Sequence, residues 1–334
     1  HRRLRAKLAE IAAWNNVSGP NHEVGAAEGA ALGIVASGVA VAHAREAVPS
    51  ARLLQVGMTH PLPLERIAGF VGAVERCQVV EEGDPYLADG LLAAGIEVTT
   101  KPELYRFGEL DVARVRRLVA HDLTPEPVPA RGKPPQLCEG CPHRRAFDVL
   151  RELDCLVAGD IGCYSLGALP PFEALDTCVC MGASIGVGLG MRHALPPEQA
   201  RRVVSVIGDS TFMHSGLSGL VEMVYNPPET GHVVLVLDNG TTAMTGLQEH
   251  PGTGRTLDHQ PAAKVSYEDL ARAMGIAHVE VVDAVGQTDR FRDLLIEALA
   301  SDRLTVIIAR RPCLLAARRI RQYEREVEPC HHAS

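Results

Sequence analysis

The chain alternates between short unbroken apolar runs and longer stretches in which apolar residues return every three or four positions. Val203–Ile207 and Val233–Leu237 consist almost wholly of Val, Leu and Ile, the pattern of strands covered on both faces. Gly33–Ser37, Arg52–Gly57, Gln78–Glu82, Cys155–Ala158, Val279–Val282 and Thr305–Ala309 read as further strands. Leu62–Val74, Tyr86–Ala94, Leu217–Tyr225, Tyr267–Met274 and Thr288–Ala300 read as helices. Strands alternating with helices predict mainly parallel sheets flanked by helices, so the expected class is α/β. The rhythm breaks at 124–136, where five prolines fall within thirteen residues. Proline fixes φ and lacks the amide proton, so this stretch predicts an extended linker. It separates an α/β domain at 1–123 from a second at 137–325, with 326–334 opening a further segment. No repeat of solenoid period is present.

At 334 residues the chain exceeds what one hydrophobic core usually serves, in keeping with two domains. A content of 46% hydrophobic and 22% charged residues excludes wholesale disorder. The net charge of −8 gives no electrostatic reason for a nucleic-acid partner. The longest apolar stretch, 25–44, is broken by Glu28 and by glycines, and predicts no membrane span. Nine cysteines, an odd number without a secretory signal, point to a reducing cytoplasm and to buried thiols or metal ligands. His1 in place of Met, and the ending Glu-Pro-Cys330-His-His-Ala-Ser334, read as cuts in a longer polypeptide.

Candidate chemistry concentrates at two strand ends. Val203-Val-Ser-Val-Ile-Gly208-Asp209-Ser210 is followed thirty residues later by Leu237-Asp238-Asn239-Gly240-Thr241. Open α/β sheets bind ligands just past the carboxyl ends of their strands. A carboxylate, a carboxamide oxygen and a nearby backbone carbonyl are hard ligands suited to Mg²⁺, with diphosphate oxygens completing the octahedron. Small residues at 208 and 210 admit a diphosphate to the backbone, and the following helix offers unpaired N–H groups. Taken singly, Asp209 caps a helix and Asn239 shapes a turn. As a pair on two strand ends they describe a metal–diphosphate site.

Gly182, Gly186 and Gly190 recur every four residues and give a helix one bare face that invites close packing by another backbone. The spacing is not the dinucleotide fingerprint, so a nicotinamide site is not expected. Cys138-x-x-Cys141 has metal-ligand spacing that zinc, an iron–sulfur cluster and a redox dithiol all use. Cys163 and Cys313 each follow a strand and can converge on the same rim. Cys178 and Cys180 alternate like a strand and read as buried thiols; Cys77 and Cys155 read as core thiols. His143, His214 and His250 are candidates for acid–base or anion contacts, with His214 four residues past Ser210. In the first domain, Glu81-Glu82-Gly83-Asp84-Pro85 reads as a solvated turn.

These motifs together carry a resemblance. Gly208-Asp209-Ser210 through Asn239 resembles the thiamin diphosphate signature. Gly208 to Gly216, Leu237 to Gly246, Cys138-Glu-Gly-Cys141-Pro-His-Arg144, Gly159-Asp-Ile-Gly-Cys163-Tyr-Ser and Gln248-Glu-His-Pro-Gly-Thr-Gly254 resemble the indolepyruvate ferredoxin oxidoreductase alpha-subunit family. Thr59-His-Pro-Leu-Pro63 and Val80 to Tyr86 match it as well, so nearly the whole chain is covered. Gly240 and Leu247 depart from it, standing where bulkier polar residues are expected.

The resemblance implies a transketolase C-terminal-like domain followed by a thiamin diphosphate-binding domain. It implies that Asp209, Asn239 and the Thr241 carbonyl ligate Mg²⁺, and that Gly208 and Ser210 line the diphosphate. Met181, with Gly182 and Ser184, would support the bent cofactor; by chemistry alone Met181 reads equally as a core methionine before a helix. Cys138, Cys141, Cys163 and Cys313 would hold a [4Fe-4S] cluster, and Cys330 would begin a ferredoxin-like segment. The implied reaction is oxidative decarboxylation of an aryl 2-oxoacid to its acyl-CoA, with ferredoxin as acceptor. The implied partners are a beta (gamma-type) subunit, ferredoxin and coenzyme A, in a homo- or hetero-oligomer, with neither nucleic acid nor membrane. The activating glutamate of such enzymes lies in a pyrimidine-binding domain expected before residue 1, so the chain alone is expected to be nearly inactive. A non-oxidative thiamin diphosphate-dependent decarboxylase, a cofactor-binding subunit without redox role and a zinc-stabilised module remain alternatives.

Overall fold

The structure, a computed structural model, describes residues 1–25, 30–127 and 132–327. Two compact units divide the chain, His1–Ala130 and Arg131–Ser334. Both are α/β with mainly parallel sheets, the class read from the apolar pattern. Residues 122–127 and 132–138 carry neither helix nor strand, in keeping with proline's missing donor; 128–131 fall outside the described residues.

The first unit holds a four-stranded sheet of β1 (His22–Gly25), β2 (Leu32–Ala36), β3 (Arg52–Gln55) and β4 (Arg76–Val80), in the order β1-β3-β2-β4. Only β1 runs antiparallel, pairing His22 with Gln55. Ile34, Leu53 and Val80 face one core with the helix Val112–Val119, while Val35, Leu54 and Val79 face another with Leu64–Val71 and Tyr86–Ala93. Glu81, which reads from the sequence as part of a solvated turn, is instead buried. Its carboxylate accepts the Leu87 N–H at 2.7 Å and the Ala88 N–H at 3.0 Å, satisfying the first turn of Tyr86–Ala93. The buried Lys101 ammonium donates to the Glu81 and Gly83 carbonyls at 2.6 Å. Glu82, Gly83 and Asp84 are exposed.

The second unit is a six-stranded sheet, parallel throughout, in the order β6-β5-β7-β8-β10-β9. Its strands are β5 (Leu156–Gly159), β6 (Thr177–Cys178), β7 (Val203–Gly208), β8 (His232–Asp238), β9 (His278–Val282) and β10 (Leu304–Arg310). Every residue of β7 and β8 is buried, because helices cover both faces. Phe147, Val204, Leu235, Phe291 and Ile307 pack on one face; Ile185, Phe212, Leu220, Val236 and Ile308 on the other. From β5 the chain first adds β6 on one side and then β7 on the other. This reversal of winding opens a crevice at the carboxyl ends of β5 and β7, where an open sheet leaves room for a ligand.

Candidate cofactor and metal site

The crevice is bordered by the residues that leave β5, β7 and β8: Asp160, Asp209 and Asn239. All three are buried. The Asp209 carboxylate accepts the Ser210 N–H on Oδ1 at 2.8 Å, and the Asn239 and Gly240 N–H groups on Oδ2 at 3.2 and 2.8 Å. Asn239 Oδ1 accepts the Thr241 N–H at 3.0 Å. The two residues that the sequence singled out therefore stand together, the Asp209 carboxylate held by the backbone of the Asn239 loop and the Asn239 carboxamide by the Thr241 N–H. Thr242 donates its hydroxyl to Ser210 Oγ at 2.8 Å and joins the two loops a second time.

This donor set fits a hard cation. A carboxylate oxygen carries two lone pairs, and Oδ1 of Asp209 uses one. Asn239 Oδ1 likewise keeps one, and the Thr241 carbonyl accepts no hydrogen bond among the described residues. Three oxygens of the kind Mg²⁺ prefers thus retain free acceptor capacity at one rim. Gly208 lies tight against the Tyr164 ring: a Cβ there would stand 2.4 Å from Cε1. The Tyr164 ring is buried, and its hydroxyl donates to the Ile161 carbonyl at 2.9 Å.

Asp160 is the residue that sequence reading missed. Fully buried, it accepts N–H bonds from Ile161 at 2.8 Å, from Gly182 at 2.8 and 3.0 Å, and from Ser184 at 3.1 Å. It thereby caps the helix Ala183–Ala194 from across the crevice. Gly182 has φ of 86°, a left-handed turn, and a Cβ on it would meet Ser215 at 2.5 Å. The turn leaves Met181 about half exposed at the rim, so it is not a core methionine. Ile161, Val179 and Met244 add exposed apolar surface in the same unit. An aspartate directly after a strand at the winding reversal was the available signal for Asp160.

Other expectations need correction. Cys178 and Cys180 are exposed, not buried, because β6 is a two-residue edge strand that ends at Cys178. Cys77 is buried in β4, and burial pushes its thiol up to about 12; Cys155, just before β5, is half-buried. Gly186 and Gly190 lie on an exposed face where an added Cβ meets nothing, while the close approach falls at Gly188 against Ser205 and His232. His214 is exposed, in a widened turn at 212–216, and contacts none of Asp160, Asp209 or Asn239 through a hydrogen bond. Cys330 lies outside the described residues.

His143 and His250 are buried beside the paired ligands. His143 Nε2 is 3.2 Å from Asn239 Nδ2, and burial lowers its pKa to about 4, so the ring is neutral. His250 Nε2 is 3.5 Å from Asp209 Oδ2. Asp238, one residue before Asn239, is raised to about 6 by burial and by the neighbouring Asp209, against the Arg310 guanidinium at 2.6 Å.

Cys138, Cys141, Cys163 and Cys313 all line one cavity of about 80 Å³, with Leu166, Leu314 and Leu315. Burial pushes Cys141 up to about 11. Burial also raises Cys163, with Cys313 and Cys138 contributing. Among the described residues, no three His, Cys, Asp or Glu side chains gather tightly enough for a single metal ion. No helix among them is long and apolar enough to cross a membrane.

Residues 160–309, which include the paired Asp and Asn and most of this sheet, match the thiamine pyrophosphate enzyme C-terminal TPP binding domain. The match begins at Asp160 and ends at the last buried residue of β10. More narrowly, nearly the whole chain is similar to the indolepyruvate oxidoreductase subunit IorA. It is 36% identical over 323 residues to that subunit from Archaeoglobus fulgidus, covering 89% of this chain and 51% of the relative. It is 34% identical to the Pyrococcus horikoshii subunit, covering 94% and 52%, and 33% identical to that of Methanothermobacter thermautotrophicus, covering 96% and 55%. The chain thus spans about half the length of the curated relatives it matches.

Proposed function

We propose that this chain carries the diphosphate–Mg²⁺ half of the thiamin diphosphate site in a 2-oxoacid:ferredoxin oxidoreductase. The substrate is an aryl 2-oxoacid of the indolepyruvate kind, the product its acyl-CoA, and the electron acceptor ferredoxin. The observation that carries the reading is the juxtaposition of Asp209, Asn239 and the Thr241 carbonyl, each with a free lone pair, at the winding reversal. When bound, thiamin diphosphate supplies a carbanion nucleophile and an electron sink for loss of CO₂, and an iron–sulfur cluster supplies one-electron transfer.

The chain's own residues do the rest. Asp209, Asn239 and the Thr241 carbonyl hold the cation, and Gly208 and Ser210 admit the diphosphate to the backbone. Asp160 fixes the turn that presents Met181, whose exposed side chain is placed to support a folded cofactor. Cys138, Cys141, Cys163 and Cys313, which share one cavity, are the ligands of a [4Fe-4S] cluster, whose irons are spread wider than a single-ion site. A gamma-type subunit completes the enzyme, which works in the reducing cytoplasm. His214 is assigned no role.

Two measurements test this reading. Anaerobically purified protein should contain iron and acid-labile sulfide in equal amounts, lost together in Cys163→Ser; stoichiometric zinc without sulfide refutes the cluster. In the complete enzyme, indolepyruvate- and CoA-dependent reduction of ferredoxin should disappear in Asp209→Ala. Release of the aldehyde and CO₂ without ferredoxin reduction would assign the non-oxidative decarboxylase instead.

A further inference from the structure

Two buried histidines stand behind the paired ligands, and each presents a nitrogen of defined character. The Gly252 N–H donates to His250 Nδ1 at 3.2 Å, so that nitrogen is the acceptor and the ring proton resides on Nε2. Nε2 points at Asp209 Oδ2 from 3.5 Å and has no other partner among the described residues, although His250 is 4% exposed. At that distance the contact is long for a hydrogen bond. On the other side, Asn239 Oδ1 is committed to the Thr241 N–H, which leaves Nδ2 facing His143 Nε2 at 3.2 Å. A carboxamide nitrogen can only donate, so His143 Nε2 accepts and its proton sits on Nδ1. The ring is held edge-on against Tyr164, centroids 6.1 Å apart.

We propose that His143 and His250 are the positioning pair of the cation site. His143 reads the amino end of the Asn239 carboxamide and so fixes its oxygen toward the cation, while His250 sets its Nε2–H against Asp209 Oδ2, the oxygen already turned to two N–H groups, and so leaves the free lone pair of Oδ1 to the cation. The inference rests on the cation reading proposed above and deepens it. Neither histidine touches the ion. Each acts through one ligand, one by accepting and the other by donating. The asymmetry has a consequence: each position tolerates a neutral substitute only if it supplies the same hydrogen-bonding character.

The test is titration of Mn²⁺ into the full chain with thiamin diphosphate present, reading free Mn²⁺ by electron paramagnetic resonance. His143→Phe preserves the ring packing on Tyr164 but removes the acceptor; His250→Leu removes the donor. Each should weaken Mn²⁺ by about ten- to a hundredfold, the usual effect of removing a partner behind a metal ligand. His143→Gln and His250→Gln, which offer an acceptor and a donor respectively, should recover most of the affinity. Circular dichroism establishes that each variant is folded, and a misfolded Phe or Leu variant leaves the decision to the Gln pair. Wild-type affinity in His143→Phe and His250→Leu overturns the proposal, as does equal loss in the Gln variants. Asp209→Ala separates the two readings: if wild type binds no Mn²⁺, or Asp209→Ala binds it equally well, the cation site itself falls. If only Asp209→Ala loses binding, the positioning role alone falls.

Discussion

The buried His232 should make the second unit acid-labile, by an amount that its surroundings fix. It begins β8 and is fully buried, with Nε2 2.8 Å from Ser205 Oγ. Ser205 donates its only hydroxyl proton to the Ser184 carbonyl at 2.8 Å, so His232 must donate from Nε2. Nδ1 is then a bare acceptor with no partner among the described residues. Protonating it would bury a charged N–H facing no acceptor. Burial foremost, with Arg192 and His193 adding positive charge, lowers the pKa from 6.5 to about 3. The sign follows. The folded state keeps the ring neutral while the unfolded chain takes up a proton, so stability is full above pH 6.5 and declines as pH falls toward 3. Each pH unit in that window costs about 1.4 kcal/mol, or about 2 kcal/mol between pH 6.5 and pH 5. His232→Gln keeps a donor to Ser205 and does not titrate. Denaturant unfolding at pH 7.5 and pH 5 should therefore show wild type losing about 2 kcal/mol more than the variant over that step. Equal losses in the two proteins, or an imidazole that titrates near pH 6 by nuclear magnetic resonance, would refute the reasoning.

Gly208→Ala should lower the unfolding free energy by about 1–3 kcal/mol, since its Cβ would stand 2.4 Å from a Tyr164 ring that is buried and hydrogen-bonded in place. Thermal unfolding measures this, and an unshifted midpoint would show that the ring yields freely. Asp160→Ala leaves the Gly182 and Ser184 N–H groups without their acceptor and should cost about 2–4 kcal/mol in the same assay. Asp160→Asn, which retains one acceptor oxygen, should cost less, and a reversed order would contradict the capping role.

Legibility followed burial. β7, β8 and β10 are covered on both faces, so their apolar runs announced them to within a residue or two at each end. The helices Leu217–Tyr225 and Thr288–Ala300 were readable for the same reason, each burying a regular stripe. The helix Arg2–Val17 was not: only Asn15 is buried, so no apolar period marks it. β1 was invisible too, a polar edge strand that pairs antiparallel with β3. Within the site, Asp209 and Asn239 were legible because each ends a strand that was itself legible. Asp160 also follows a strand, but its work, accepting the Gly182 and Ser184 N–H groups across the crevice, belongs to a turn that no apolar period announces. His214 was favoured by proximity in sequence, yet the widened turn at 212–216 leaves it at the surface. His143 lies 96 positions before Asn239, and only folding brings the two together.

Calorimetric titration of the chain with thiamin diphosphate, with and without Mg²⁺, in wild type and Asp209→Ala, bears most directly on the site as a whole. The account predicts saturable binding by wild type that requires the cation, and none by Asp209→Ala with its fold intact. Binding that ignores Mg²⁺, or that survives loss of the Asp209 carboxylate, would contradict it.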